Sequence, residues 1–301
     1  MALRRRPAAT QQVQQVQQVQ QPAAHLHHPV RIQQVAYAST APKKASLYVA
    51  TPCYGGYMSA GYLASLMCLK QECERRGHPM LVSFMGNESL VPRARNILTG
   101  QFMRSGADRL LFIDADISFS PDTVFRLVEA ERDVATAVYA KKGVEWDVVE
   151  AKLRDGEATA AGGEPTHMMG MSYNINLEHG RHLTSNGFVK VLDAATGFMM
   201  VKREAMQRVI DAYAATLTCV NDLPGNREDP MYLKEYVAVF DCMIDPATRR
   251  YLSEDYAFSR RAQAVGIEVW ADVMSSLLHE GTYMFEGDVR QRLAAVSECL
   301  G

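Results

Sequence analysis

The chain has 301 residues, of which 48% are hydrophobic and 22% are charged. This is the composition of an ordinary globular protein with room for one large α/β domain or two small ones, and no apolar stretch is long enough to cross a bilayer. The net charge is −2, but the first 44 residues carry six basic residues and no acid, so the remainder carries −8. An acidic body argues against a broad nucleic-acid surface.

The cysteines and the N-terminus predict a cytoplasmic location. The six cysteines have no CxxC spacing, which is typical of reduced thiols rather than of a disulfide framework or a zinc site. The charged start Met1–Pro7 is not followed by the apolar segment that a secretory signal needs. We therefore expect a cytoplasmic protein with free thiols.

Residues 1–44 are predicted to be a disordered, Gln-rich basic tail. Three valines recur every three residues among glutamines, and a period of three cannot keep an apolar face on a helix. Such a segment buries too little apolar surface to fold. The folded domain is expected over residues 45–301.

The folded part alternates strands and helices in chain order. Strands are predicted over 46–51, 80–84, 109–113 and 134–139, and helices over 59–76, 92–105 and 120–131. This alternation predicts a parallel, doubly wound sheet. Residues 140–190 have weak periodicity and are predicted to be loops and short antiparallel strands. The remaining predicted elements are a strand over 197–201, a helix from about Arg203, a helix over 253–265, a strand over 267–270 and an amphipathic helix over 286–299.

Residues 110–119 carry the most informative pattern in the chain. The apolar run Leu110–Ile113 is typical of a strand buried on both faces, and it ends in Asp114 and Asp116. Alternate side chains at a strand end point the same way, so both carboxylates are expected to face one small volume at the ligand-binding edge of a parallel sheet. Such a pair repels itself unless a cation is close, and oxygen ligands favour Mg²⁺ or Mn²⁺ together with phosphate oxygens.

This strand with its Asp-x-Asp resembles the metal and sugar-nucleotide motif of GT-A glycosyltransferases. The segment Ser253–Gly266, about 140 residues later, resembles the Glu-Asp helix start of glycosyltransferase family 2 and related GT-A enzymes. An acidic first turn alone is explained by the helix dipole, and the order of the two segments makes the resemblance specific. The resemblance implies that Asp255 is the general base that takes the proton of the acceptor hydroxyl, with Glu254 as the alternative.

A third segment places His279 after an apolar strand and before Gly281. It looks like the C-terminal metal ligand of many GT-A enzymes, and imidazole suits Mn²⁺ beside a carboxylate and phosphate oxygens. Glu280 is an alternative ligand, and Gly281–Gly287 looks like a closing loop. The implied ligands of a Mn²⁺ or Mg²⁺ ion are Asp114, Asp116 and His279. Asp116 is the more direct ligand, while Asp114 is expected to contact hydroxyls of the donor or the metal through water.

The residues expected to contact the nucleotide sugar lie near strand ends. They are Thr51, Pro52 and Tyr54 after the first strand, Arg95 and Asn96 at a helix start, Asp114, Lys141 after the fourth strand, and Gly197. Tyr54 could stack on a pyrimidine, arginine at a helix N-terminus suits phosphate, and Gly197 would let the backbone approach the sugar. Each also has a structural interpretation, as a turn residue or a solvated side chain.

The resemblance implies a GT-A fold, that is, a Rossmann-like α/β domain whose mostly parallel, doubly wound sheet has a small antiparallel addition. The expected activity is metal-dependent transfer of a sugar from a UDP- or GDP-sugar to a hydroxyl of a glycan, protein or other acceptor, with inversion. A retaining mechanism stays open, because the fungal mannan-polymerase type also has a strand ending in Asp-Ala-Asp.

Two other functions are alternatives. A sugar-nucleotide nucleotidyltransferase has a similar fold, but the loop Pro52–Met58 lacks the basic residues that such enzymes carry there. A non-catalytic nucleotide-sugar-binding module would not be expected to keep both aspartates, the Glu-Asp pair and His279. A hydroxylated base in DNA is a further acceptor, disfavoured by the acidic body but not by the basic tail.

Overall fold

The computed structural model describes residues 44–155, 168, 170–177, 184–223, 225 and 227–282. The tail predicted over residues 1–44 lies outside the described residues except for Lys44. The amphipathic helix predicted over 286–299 and most of the closing loop also lie outside them. Within the described part of the chain, no helix is long and apolar enough to cross a membrane.

The described residues form six α-helices and seventeen strands. The helices are α1 (Ala60–Arg76), α2 (Val91–Ser105), α3 (Pro121–Glu129), α4 (Trp146–Arg154), α5 (Arg203–Leu217) and α6 (Glu254–Ala264). The first nine strands are β1 (Leu47–Cys53), β2 (Met80–Gly86), β3 (Arg109–Ile113), β4 (Ile117–Ser118), β5 (Val134–Ala137), β6 (Ala140–Val144), β7 (Met171–Tyr173), β8 (Ile175–Leu177) and β9 (Thr184–Ser185). The others are β10 (Phe188–Ala194), β11 (Phe198–Lys202), β12 (Thr218–Val220), β13 (Glu235–Val237), β14 (Met243–Ile244), β15 (Tyr251–Leu252), β16 (Val269–Asp272) and β17 (Leu278–His279).

The central sheet has the strand order β2-β1-β3-β11-β5-β16-β10-β8, with β9 beside β10. Strands β1, β2 and β3 pair in parallel, as do β5 and β16. Strands β11 and β10 run antiparallel to their neighbours. The structure therefore confirms a mixed α/β fold around a mostly parallel sheet, and it inserts one antiparallel strand, β11, directly beside the strand that carries the two aspartates.

The sheet is covered on both faces because its central strands are largely apolar. All five residues of β3 are buried. Its four apolar residues divide between two hydrophobic clusters: Leu111 and Ile113 face one, while Leu110 and Phe112 face the other. Helices α1 and α3 pack into the first cluster, and α2, α5 and α6 pack into the second. This is the doubly wound arrangement expected from the alternation of strands and helices.

Local sequence signals set the helix ends. Ser59 precedes α1 and its hydroxyl accepts the N–H of Tyr62 at 3.0 Å, while Gly77 ends the helix with a φ of 79°. Ser120 caps α3 in the same way, followed by Pro121 at the first helical position. A side-chain acceptor satisfies a free N–H group at the start of a helix, and glycine adopts a left-handed conformation at its end without strain.

The prediction of loops and short antiparallel strands over residues 140–190 was incomplete. The segment contains the helix α4, and strands β8, β9 and the start of β10 belong to the central sheet instead of decorating it. In β10 the buried apolar residues Phe188, Val191 and Ala194 are three apart, and the register of β10 against β8 shifts between Val191 and Asp193. This irregularity hides the period of two by which a strand is recognised.

The strand that contains His279 is shorter and more exposed than the buried apolar strand that the sequence predicts. Strand β17 has only two residues, pairs antiparallel with β4, and leaves Leu278 69% exposed. The pairing still matters, because β4 begins one residue after Asp116. It brings His279 beside the second aspartate.

Candidate functional site

The turn after β3 directs its two carboxylates to different partners. The N–H of Asp114 donates to the carbonyl of Gly197 at 2.9 Å, and the N–H of Ile117 returns to the carbonyl of Asp114 at 3.1 Å. The Asp114 side chain then pairs with Arg95, whereas the Asp116 side chain pairs with Lys142 and lies near His279. We call the contacts of Asp114 and Glu254 with Arg95 the buried arm. We call the contacts of Asp116 with Lys142 and His279 the open arm.

The buried arm is organised by one arginine. Arg95 is 3% exposed, and its Nη2 lies 2.9 Å from Asp114 Oδ1 while its Nε lies 3.3 Å from Glu254 Oε1. Burial alone would lower the pKa of Arg95, but the two carboxylates raise it, so the guanidinium stays charged. The Asp-x-Asp segment and the Glu-Asp segment are distant in sequence, but both contact the buried guanidinium of Arg95.

Asp255 lies next to Glu254 in the first turn of α6. Its Oδ1 accepts the N–H of Tyr256 at 2.8 Å and the hydroxyl of Ser253. Burial is the largest effect on the pKa of Asp255 and raises it, the charge of Glu254 adds to this, and the two hydrogen bonds and Arg95 oppose it without reversing it. A half-buried carboxylate with a raised pKa is a stronger base than an exposed one.

The open arm holds Asp116 between two basic side chains. Lys142 Nζ is paired with Asp116 Oδ2, and His279 Nε2 lies 3.6 Å from Asp116 Oδ1. Burial raises the pKa of Asp116, but His279 and Lys142 outweigh it and bring the pKa to about 2. Burial lowers the pKa of His279, and Asp116 and the carbonyl of Ala140 raise it overall.

Two features of the open arm fit a divalent cation. Asp116 Oδ1 is buried and has no hydrogen-bond partner among the described residues. His279 Nδ1 lies 2.9 Å from the carbonyl oxygen of Ala140. Since a carbonyl only accepts, Nδ1 carries the proton in the neutral ring and Nε2 presents its lone pair towards Asp116. An oxygen and an imidazole nitrogen that face each other form a donor pair that suits Mn²⁺.

The cation would have few protein ligands. The described residues contain no group of three or more His, Cys, Asp or Glu side chains arranged to hold a metal, and Asp114 Oδ1 is engaged by Arg95. An ion bound by Asp116 and His279 would complete its shell with water and phosphate oxygens, as Mg²⁺ commonly does. Glu280, the alternative ligand, accepts from Ser118 Oγ at 3.1 Å instead. Direct binding by Asp114 stays a prediction.

Gly197 is required by the packing around Asp114. A Cβ atom at this position would lie 2.2 Å from Tyr139 Oη and 2.6 Å from Asp114 Oδ2. Tyr139 in turn lies edge-to-face with His279, with 5.1 Å between the ring centroids. Tyr139 therefore connects the two arms, and the contact of Gly197 with a donor sugar stays a prediction.

Two of the residues expected to bind the nucleotide are occupied by packing. Thr51 is fully buried, and its Oγ1 lies 2.6 Å from the hydroxyl of Tyr62. Asn96 is 3% exposed, and its Oδ1 accepts the N–H of Phe240 at 2.8 Å. Asn96 therefore holds the backbone at Phe240, and Thr51 holds the ring of Tyr62.

The other expected nucleotide contacts are accessible. Pro52 is half-buried, Lys141 is exposed, and Tyr54 is 74% exposed in a 3-10 turn at Tyr54–Gly56. A ring held in a turn directly after β1 is free to stack on a base. No described contact fixes these three side chains to either arm, so their roles stay predictions.

Lys142 is the residue that sequence reasoning missed. Lys141 was expected to reach the donor, but the structure brings Lys142 to Asp116. Strand β6 contains the signal: residues 140 and 142 share a face, and the carbonyl of Ala140 binds His279. Recognising 140–144 as a strand beside His279 would have selected the second lysine.

The comparisons with known proteins leave the family open. No protein-family model matches the chain, and no curated protein matches it. Similar solved structures include A197 from STIV, with 13% identity, a TM-score of 0.38, and coverage of 81% of this chain and 98% of that one.

Two glycosyltransferases are also among the similar structures. One is a glycosyltransferase involved in the glycosylation of the major capsid of PBCV-1, with 8% identity, a TM-score of 0.23, and coverage of 54% of this chain and 62% of that one. The other is GalNAc-T7 with UDP, GalNAc and Mn²⁺, with 12% identity, a TM-score of 0.37, and coverage of 81% and 44%. The identities and TM-scores are all low, so function has to be inferred from this chain's own residues.

Proposed function

We propose that this chain is a GT-A-type glycosyltransferase that uses Mn²⁺ or Mg²⁺ and moves a sugar from a UDP- or GDP-sugar to a hydroxyl group. The observation that carries the proposal is the pair of contacts made by Arg95, 2.9 Å to Asp114 and 3.3 Å to Glu254. Arg95 joins Asp114, a candidate donor-binding acid, to Glu254, the neighbour of the candidate base Asp255, and so supports a site in which donor and acceptor chemistry lie close together.

The open arm would bind the diphosphate of the donor. Asp116 and His279 would hold the cation, which when bound neutralises charge that grows on the departing nucleoside diphosphate. Lys142 adds a positive charge beside Asp116 and can bind phosphate oxygens directly. Asp114, which pairs with Arg95, would accept hydrogen bonds from hydroxyl groups of the ribose or the sugar.

Asp255 is the better candidate base of the two neighbouring acids. Glu254 is engaged by the guanidinium of Arg95, whereas the hydrogen bonds to Asp255 come from a neutral hydroxyl and a backbone N–H. Asp255 would take the proton of the acceptor hydroxyl while its oxygen forms a bond to the anomeric carbon and the bond to the diphosphate oxygen breaks. A single displacement of this kind inverts the anomeric configuration.

Binding of the donor tests the open arm directly. Thermal unfolding of the full chain should be measured with UDP- and GDP-sugars, each with Mn²⁺ and with EDTA. We expect one nucleotide sugar to raise the melting temperature only with the metal, because a ligand of the native state stabilises by mass action. Asp116→Asn should abolish this shift. Asp122→Asn, at an acid whose side chain is 81% exposed and faces Arg76, is the matched control and should keep it.

The products of the reaction separate the proposal from its rivals. A glycosyltransferase releases a nucleoside diphosphate, whereas a nucleotidyltransferase consumes or forms pyrophosphate, and a binding module gives a thermal shift without either product. Full turnover in EDTA would contradict the metal-dependent mechanism.

A further inference from the structure

A cavity of about 490 Å³ is lined in part by Tyr251, three residues before the acid pair that begins α6. It is lined by the start of α2, the last turn of α5 with the strand that follows it, β13, and residues around β14 and β15. Its volume falls in the ~300–1,000 Å³ range of small-molecule sites. None of Asp116, Lys142 and His279 lines it, so it is distinct from the open arm.

The cavity is connected to the candidate base by the chain itself. Asn96 lines it and directly follows Arg95, which binds Glu254. Tyr251 also lines it and lies in β15, which leads after one residue into α6 and its first-turn acids. A ligand in the cavity would therefore lie on the Glu254–Asp255 side of the buried arm.

The lining combines aromatic rings with hydrogen-bonding side chains. It includes Arg93, Thr216, Thr218, Tyr236, Asp241 and Tyr251. Tyrosine rings offer flat apolar faces, and hydroxyl, carboxylate and guanidinium groups supply donors and acceptors in several directions. This mixture suits a ring-shaped molecule that is apolar on its faces and rich in hydroxyls on its edge.

The charges in the cavity disfavour a diphosphate. Its arginine, Arg93, already pairs with the buried side chain of Glu88 at 2.9 Å and lies 3.6 Å from Asp222. Asp241 adds a further acid to the lining. With no surplus positive charge, the cavity is better matched to an uncharged ligand than to the nucleotide part of a donor.

A second cavity, of about 410 Å³, shares two lining residues with the first, Thr216 and Leu217 at the last turn of α5. Tyr213 and Arg260 also line it. Both cavities therefore border the C-terminal end of α5.

We propose that the larger cavity is an acceptor subsite that binds a neutral oligosaccharide, with Tyr251 as a stacking platform. This rests on the proposed function, because an acceptor presupposes transfer. It assigns the acceptor to a glycan rather than to a protein or nucleic acid, and it places the sugar units on the side of the buried arm where α6 begins.

The test uses the full chain and a panel of immobilised neutral and anionic oligosaccharides, with no nucleotide present. We expect binding to neutral members, weakened roughly ten-fold by Tyr251→Ala, the order seen when an aromatic contact at a binding hot spot is truncated. Tyr251→Phe keeps the ring and should bind like wild type. Met67→Ala removes another exposed large side chain, 60% exposed on the opposite face of the sheet, and should also bind like wild type. Since Tyr251 is 72% exposed, its truncation should leave unfolding unchanged.

Donor affinity, measured in parallel by calorimetry with UDP- and GDP-sugars and Mn²⁺, separates the two proposals. Unchanged donor affinity in Tyr251→Ala, with weaker glycan binding, supports the acceptor subsite. Loss of donor affinity, equal glycan binding in wild type and Tyr251→Ala, or no binding to any neutral glycan would overturn it. Glycan binding that depends on Tyr251 in a chain that binds no nucleotide sugar would keep the glycan site and contradict the transferase function.

Discussion

The two aspartates of the Asp-Ala-Asp segment have similar exposure, 29% and 38%, yet their basic partners differ sharply in burial. Asp114 pairs with a guanidinium that is 4% exposed, and Asp116 pairs with a lysine that is 39% exposed. A buried arginine cannot leave without removing the shared partner of two carboxylates, whereas a surface lysine exchanges readily with water or another ion. The buried arm thus fixes the positions of Asp114 and Glu254, and the open arm keeps the carboxylate of Asp116 accessible to a ligand.

The largest expected effect concerns the base beside the buried arm. Asp255→Asn keeps the shape of the side chain but cannot accept a proton, so turnover should fall by ~10²–10⁴-fold. Donor affinity should remain, because the candidate phosphate and metal contacts lie in the open arm. Asp116→Asn should do the reverse and weaken donor binding itself. If Asp255→Asn turns over within a few-fold of wild type, Asp255 is not the general base. Glu254 or a retaining mechanism would then be favoured.

Replacing Arg95, the positively charged residue of the buried arm, should destabilise the fold. Arg95→Met leaves Asp114 and Glu254 without their shared partner, and the loss of one member of a buried ion pair typically costs about 3–5 kcal/mol of unfolding free energy. Urea denaturation measures it. Arg75→Met removes an arginine whose side chain is 68% exposed beside Glu72 and should change stability little. Equal stability of Arg95→Met and wild type would mean that the arginine is not structural.

Gly197→Ala tests the close packing between the arms. The new methyl group would lie 2.2 Å from Tyr139 Oη, and overpacking of this kind costs about 1–3 kcal/mol. Gly143→Ala is the control, because a Cβ there meets no atom within 4 Å. In a Tyr139→Phe background, which lacks the hydroxyl, the cost of Gly197→Ala should shrink. An unchanged cost would place the clash at Asp114 Oδ2 or at the ring carbon Cζ of residue 139, which lie 2.6 and 2.7 Å from the new methyl group.

The pH dependence of turnover should report the environment of Asp255. A base works only when deprotonated, and burial followed by Glu254 raises the pKa of Asp255. Activity should therefore be present above that raised pKa and fall about ten-fold per pH unit as the pH drops below it. Glu254→Gln removes the neighbouring charge and should move this acid limb to lower pH. A limb that does not move would show that another group sets it.

The smallest effect on stability is expected in the open arm. Lys142→Met breaks an ion pair whose two side chains are 39% and 38% exposed, and such pairs are worth about 0–1 kcal/mol. Lys70→Met, at an exposed pair with Glu74, is the stability control. Only Lys142→Met should weaken donor affinity, because only Lys142 lies beside the candidate phosphate site. A stability loss like that of Arg95→Met would remove the distinction between the arms.

Much of the regular part of the fold could be predicted from sequence. Helix α1 ends at Arg76 and strand β3 spans Arg109–Ile113, as predicted, because Gly77 and an uninterrupted apolar run are strong local signals. Strand β10 and helix α4 were missed, since a shifted register and a partly exposed surface weaken the periodic pattern. The order and type of the main elements were correct, but the antiparallel direction of β11 was not specified.

The candidate site divides in the same way. The sequence by itself determined which acids follow which elements, because strand and helix ends are encoded by neighbouring residues: Asp114 and Asp116 after β3, and Glu254 and Asp255 at the start of α6. Only the tertiary structure decided that Arg95 joins Asp114 to Glu254, that Lys142 rather than Lys141 reaches Asp116, and that Thr51 faces the core. Those contacts depend on how the sheet orders distant strands and on which face a side chain occupies, and neither is encoded in local spacing.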